Sequence, residues 1–232
     1  MKKIIILVTL MVSACRATTV TSPASNTKYA ILDRESEITE VQVKPKFLIS
    51  GRGIGKAKLG MTVGELKRIS NPDTEFKFIP SFMSDFDAIA VSNKGIVQYY
   101  IPYLPDEEQE TVAKGTIADD YIITSVITDN SDYQTPQGVK VGTLIKEAEA
   151  IYGDAILAYN TEGESREYIT FGNKNPENIS FRASYFKLIS DGLGFSGIYP
   201  EYPGVSYTTD KYRDDAAIAA IEVSCGSDQC SN

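Results

Sequence analysis

The side chains that could do chemistry in this chain are cysteines, carboxylates and aromatic rings, because histidine is absent from its 232 residues. Without an imidazole there is no His-dependent triad, no Cys–His pair, no ordinary zinc site and none of the commonest acid/base. Carboxylates are plentiful, 31 in all, and a hydrolase built on two facing carboxyls would need no histidine. The pairs that spacing offers, Asp129 with Asp132 and Glu162 with Glu164, fall in polar loops, where solvated surface is the default. A Ser-Lys hydrolase needs Ser-x-x-Lys, and Ser92, Ser190 and Ser206 all lack a lysine three residues on. The acidic run at 105–110 lacks the ordered Asp/Asn/Gly spacing of a calcium loop. Around Gly51 to Lys58 neither the GxGxxG fingerprint nor the P-loop is complete. These residues imply no cofactor and no metal, and a protein that is not an enzyme, with a carboxylate hydrolase the least favoured of the functional readings.

Rings are the second resource. Residues 187–215 form a connection far longer than most. The stretch carries Gly192, Gly194, Gly197, Pro200, Pro203 and Gly204 together with Phe195, Tyr199, Tyr202, Tyr207 and Tyr212. Aromatics on a Gly/Pro-rich loop are the composition of recognition loops. The competing reading is that the rings pack down and cover a sheet edge or a join.

Cysteine supplies the third. Residues 1–14 read as a targeting segment, with Lys2 and Lys3 before an apolar run at 4–12 that is too short to span a bilayer. Val12-Ser13-Ala14-Cys15 resembles the bacterial lipobox. That resemblance implies cleavage before Cys15, acylation of its sulfur and firm anchoring in a membrane; a plain signal peptide beside a cysteine is the alternative. Arg16 stands where an Asp would imply retention on the inner membrane, so the implied location is the outer membrane, facing the periplasm. With Cys15 acylated, Cys225 and Cys230 are the two thiols left. In an oxidising envelope they pair as a small terminal loop; a redox-active pair is the alternative, although CxxxxC is not CxxC. Loss of Lys2 and Lys3 leaves 21 basic residues against 31 acidic ones. Such a surface repels phosphate backbones, so nucleic acid is not an expected partner.

The elements that must position these groups are organised by one stretch that occurs twice, at 55–69 and 138–153. Lys58, Leu59, Gly60, Val63, Glu65 and Ile69 match Lys140, Val141, Gly142, Ile145, Glu147 and Ile151 at one offset, 82 residues. Each copy reads as a short strand, a glycine turn and an amphipathic helix, with strands following. Thr62 and Glu65 predict a capping box; Leu144 and Lys146 spoil the second one. Ile69 and Ile151 are expected in the core, with Lys67 and Glu149 facing outward. The predicted fold class is α+β, a tandem repeat of helix plus antiparallel sheet, with the sheets joined or side by side. The organisation that follows is a signal at 1–14, a tether at 15–46, a first α+β repeat at 47–134 and a second at 135–232.

The G-[MT]-T-x-x-E-[LV] helix start resembles the repeat of the β-lactamase inhibitor protein. It is also similar to the small lipoprotein of the outer-membrane β-barrel assembly machine. A closer resemblance, from about Gly51 to Val223, is to sigma-E-regulated lipoproteins of enterobacteria, a family of unknown function. It is strongest where Asp129, Thr135, Gly138, Val139, Lys140, Gly142 and Thr143 follow in order. These resemblances imply a helical pair against an antiparallel sheet and no catalytic residue. The function they leave is a lipid-anchored envelope protein that binds another protein. The alternative is a small-ligand carrier or sensor, holding lipid, glycan fragment or peptide under the 187–215 loop.

Overall fold

The computed structural model describes residues 47–83, 86–103, 116–162, 164–172, 174–184, 194–201 and 203–226, all within one unit, Val41–Asn232. The predicted signal, tether, acidic run, Cys15, Tyr202 and Cys230 lie outside the described residues.

The chain opens with three two-residue strands, β1 (Ile49–Ser50), β2 (Gly53–Ile54) and β3 (Ala57–Lys58), which pair antiparallel in a small sheet. Gly60, at φ +81°, turns the chain into helix α1 (Val63–Ile69). The predicted capping box is present there. Thr62 Oγ1 accepts from the Glu65 amide at 3.1 Å, and the Glu65 carboxylate accepts from the Thr62 amide at 2.9 Å. Next come β4 (Thr74–Met83), β5 (Phe86–Asn93), β6 (Ile96–Tyr103) and β7 (Ser125–Thr128). Lys94 and Gly95, both at positive φ, make the tight turn between β5 and β6.

Gly142, at φ +89°, leads into α2 (Ile145–Tyr152). Its cap position is Leu144, which has no side-chain acceptor to offer; Glu147 still accepts from the Leu144 amide at 3.3 Å. β8 (Ala155–Asn160), β9 (Glu167–Phe171), β10 (Ile179–Ser184), β11 (Ser206–Thr209) and β12 (Ala220–Ser224) complete the chain. The large sheet has nine strands in the order β11-β8-β9-β10-β12-β7-β6-β5-β4, with antiparallel pairing throughout.

This architecture corrects the α+β expectation. Among the described residues twelve strands form two antiparallel sheets, while the helices have only seven and eight residues. The chain is mostly β, not a tandem repeat of helix plus sheet. The reason is length: α1 stops at Ser70, just before Asn71-Pro72, and α2 stops at Gly153. Two turns of helix are not stable alone and hold their shape only by packing. A periodicity count weighs such a segment as heavily as a ten-residue strand.

The stretches at 55–69 and 138–153 do hold comparable backbone positions. Gly60 donates to Ile123 O and Gly142 to Ile218 O, at 2.9 and 2.8 Å. Val63 donates to Tyr121 O and Ile145 to Ala216 O, both at 2.9 Å. These bonds also explain why β7 begins only at Ser125: residues 121–123 are spent on the turn before α1.

One face of the large sheet carries the core. Val63 and Leu66 of α1, and Ile145, Ala148 and Tyr152 of α2, pack there with Ile49 and Ile54 of the small sheet. Ile69 does not join them. It is the last residue of α1 and 52% exposed, because the helix ends before a third turn can press it down. Ile151 is partly buried against the core. Nor are Lys67 and Glu149 idle surface: Lys67 pairs with Asp119, and Glu149 accepts from the Ala155 amide at 2.8 Å. The opposite face buries Arg182, whose guanidinium pairs with Glu222 and lies 5.3 Å from the Tyr168 ring.

Ile69→Asp is therefore expected to change stability by no more than about 0.5 kcal/mol, as an exposed substitution does. Leu66→Ala, which empties a fully buried position, is expected to cost about 2–5 kcal/mol. Urea denaturation of the two variants beside the parent checks both values.

Candidate functional site

The predicted aromatic loop is positioned by a residue that its own sequence does not contain. Glu167 opens β9 and is fully buried. Its carboxylate accepts from the Ser196 amide at 2.8 Å, the Gly197 amide at 2.7 Å and the Tyr199 hydroxyl at 2.8 Å. A buried carboxylate is costly unless several donors replace its water. Three donors do so here, and all come from the loop.

Around that clamp the loop is closely built. The Ser196 hydroxyl donates to Ala183 O at 3.1 Å. The Ile198 amide donates to Lys211 O and the Arg213 amide to Ser196 O, so the two arms of the loop pair with each other. Gly197 is required by space: a Cβ there would stand 2.7 Å from the Tyr199 ring and 2.8 Å from the Thr209 methyl. Part of the predicted connection is itself a strand, β11, which joins the edge of the large sheet beside β8.

This scaffold gathers four rings on the face that carries the helices. Tyr159 of β8 is the centre. Phe195 stacks on it at 4.0 Å between centroids, and Tyr207, its cross-strand partner on β11, stacks at 4.8 Å. Tyr199 meets it edge-on at 4.7 Å. All four rings are half-buried. An open cleft of about 570 Å³ lies against them, lined by Tyr159, Tyr199, Pro200, Glu201, Pro203 and Tyr207. Burial, and then the Glu167 charge beside it, raises the Tyr199 pKa, so its phenol stays a hydrogen-bond donor at neutral pH.

Of the residues expected to form the binding loop, Phe195, Tyr199 and Tyr207 come together. Tyr212 does not join them: it turns to α2 and donates to Glu149 at 2.6 Å, with its pKa pushed up to about 12 by burial and then by that bond. Tyr159 and Glu167 were not expected in the site. The alternation Ala155, Leu157, Tyr159 places the Tyr159 ring on the core-facing side of β8, but nothing in the sequence pairs it with Tyr207. Cys225 is disulfide-bonded, and both other cysteines lie outside the described residues. Among the described residues no group of three acidic or sulfur ligands could hold a metal ion, and no helix is long and apolar enough to cross a membrane.

No family model and no curated protein matches the chain. Among solved structures it is similar to the uncharacterized protein YfeY from Escherichia coli. The two share 14% identity at a TM-score of 0.44, over 76% of this chain and 99% of that one. The neighbour is thus a bacterial protein that is itself uncharacterised.

Removing the clamp should release the loop. Glu167→Ala leaves two buried amides and a phenol without an acceptor, at about 1–3 kcal/mol each. The expected total is about 3–9 kcal/mol. Limited proteolysis should cut within 194–213 well before the rest of the sheet, which hydrogen exchange at the Ser196 and Gly197 amides checks.

Proposed function

We propose that this chain is a lipid-anchored protein of the bacterial envelope, on the outer membrane and facing the periplasm. In this reading it is not an enzyme, and it binds another protein through the ring cluster at the β8–β11 edge. The observation that carries the proposal is the Tyr159, Phe195, Tyr199 and Tyr207 cluster, half-exposed and locked by Glu167. Rigid aromatic side chains give large contact area for little lost entropy, and a loop ordered beforehand keeps more of its binding energy. The cleft beside the rings is open and has prolines on its rim, the shape of a surface that receives another chain rather than one that encloses a small molecule. The lipobox resemblance at Cys15 supplies the anchor.

Two measurements test the reading separately. Cys15→Ser is expected to move the protein to the soluble periplasmic fraction or to leave it uncleaved. A variant that stays in the membrane at the normal mature mass would remove the anchor from the proposal. For the cluster, a photocrosslinker at Pro203 in intact cells is expected to capture a specific protein. Tyr207→Ala should reduce that capture about tenfold or more, the loss of one central aromatic contact. Undiminished capture by a correctly folded Tyr207→Ala protein would reject the rings as the contact surface.

A further inference from the structure

A second cleft lies away from the rings, between the small sheet, the turn at 135–138 and the β9–β10 turn, with a volume of about 950 Å³. Two cations line it, Arg52 from the β1–β2 turn and Lys58 from β3. Among the described residues neither head group has an ion pair or a hydrogen bond. Lys56, on the same small hairpin, shows the contrast: its ammonium is satisfied by Ile69 O at 2.7 Å and Asn71 Oδ1 at 3.1 Å.

Such a pair is out of keeping with a chain of net charge −8. Carboxylates outnumber cations, yet among the described residues none forms an ion pair with these two. Lys58 is also half-buried, and burial lowers its pKa. Lys140, its match in the second stretch, is exposed instead. The cleft rather than the repeated stretch therefore accounts for the desolvation of Lys58.

The remaining lining sets the kind of anion. The Gln137 side-chain oxygen accepts from the Tyr152 hydroxyl at 3.1 Å, which leaves its NH2 group as a further donor on the cleft. Leu59, Pro136, Pro176 and Ile179 make the apolar walls. Glu177 lines it too, so the local balance is a single positive charge, suited to a carboxylate and unfavourable to a polyphosphate. One end is built to close tolerance: Asn178 donates to Gly51 O at 3.2 Å, and a Cβ at Gly51 would stand 2.6 Å from Glu177 O.

We propose that the Arg52–Lys58 cleft binds a carboxylate carried on an apolar group, the chemistry shared by a fatty acid and by the C-terminus of an apolar peptide. Arg52 and Lys58 hold the carboxylate, and the Leu59, Pro136, Pro176 and Ile179 walls cover the apolar part. This site is independent of the ring cluster.

The test titrates the full mature chain by calorimetry with hexanoate, with N-acetyl-leucyl-alanine and with the amide of that dipeptide. At least one acid is expected to bind saturably, and the dipeptide amide to bind at least tenfold more weakly than its acid. Arg52→Gln and Lys58→Gln should each weaken the acid about tenfold, while Lys140→Gln leaves it unchanged. Whichever acid binds more tightly identifies the source, a lipid or a peptide terminus. Arg52 is exposed, so its variant remains a test if Lys58→Gln destabilises the protein. Absence of saturable binding by both acids, equal binding of acid and amide, or unchanged affinity in Arg52→Gln would overturn the proposal. So would displacement of hexanoate by inorganic phosphate at equal concentration, because the site would then read charge alone.

Discussion

The Glu167 carboxylate is the interaction on which the aromatic face depends. An ionised group at full burial is tolerated only when its lost water is replaced, and its replacements are two main-chain amides and one phenol from a segment about thirty residues further on. The sheet thereby dictates the path of the loop. Once Ser196, Gly197 and Tyr199 are held, Phe195 and Tyr199 fall beside Tyr159. Pairing of β11 with β8 then brings Tyr207 to the other side of the same ring. The cluster is a product of main-chain hydrogen bonding, with ring packing following from it.

Arg182 and Glu222 obey the same rule on the opposite face, with less complete satisfaction. Glu222 also accepts from the Ser125 hydroxyl at 3.0 Å, while Arg182 Nε has no acceptor among the described residues. Breaking either charge would strand the other, so the pair specifies register across β7, β10 and β12 more than it adds stability.

Local features were legible in the sequence. The Gly60 and Gly142 turns and the Thr62–Glu65 capping box rest on interactions among residues close together in the chain. What was not legible depends on partners far away. The length of β7 is set by a turn some sixty residues earlier, and Ile69 is exposed because α1 ends at that residue. The long connection reads as a loop because Ser206 to Thr209 become a strand only when β8 offers them an edge. Glu167 looks like any acidic residue at a strand start. Its role comes from donors that its own stretch does not contain. The fold class failed for a related reason: hydrophobic period reveals the type of an element, while the balance of helix to sheet depends on how far each element runs.

The position of β12 has a consequence for how the protein is made. The last strand in the chain occupies the middle of the large sheet, between β10 and β7. Its partners begin at Ser125 and Ile179, so the central pairings wait until residues 220–224 are available. Until then β7 and β10 each present an unpaired edge, the state in which chains add to one another. A growing chain cannot finish its sheet piece by piece from the first strand onward. Closure is a single late event, with long loops to draw in and a correspondingly slow step.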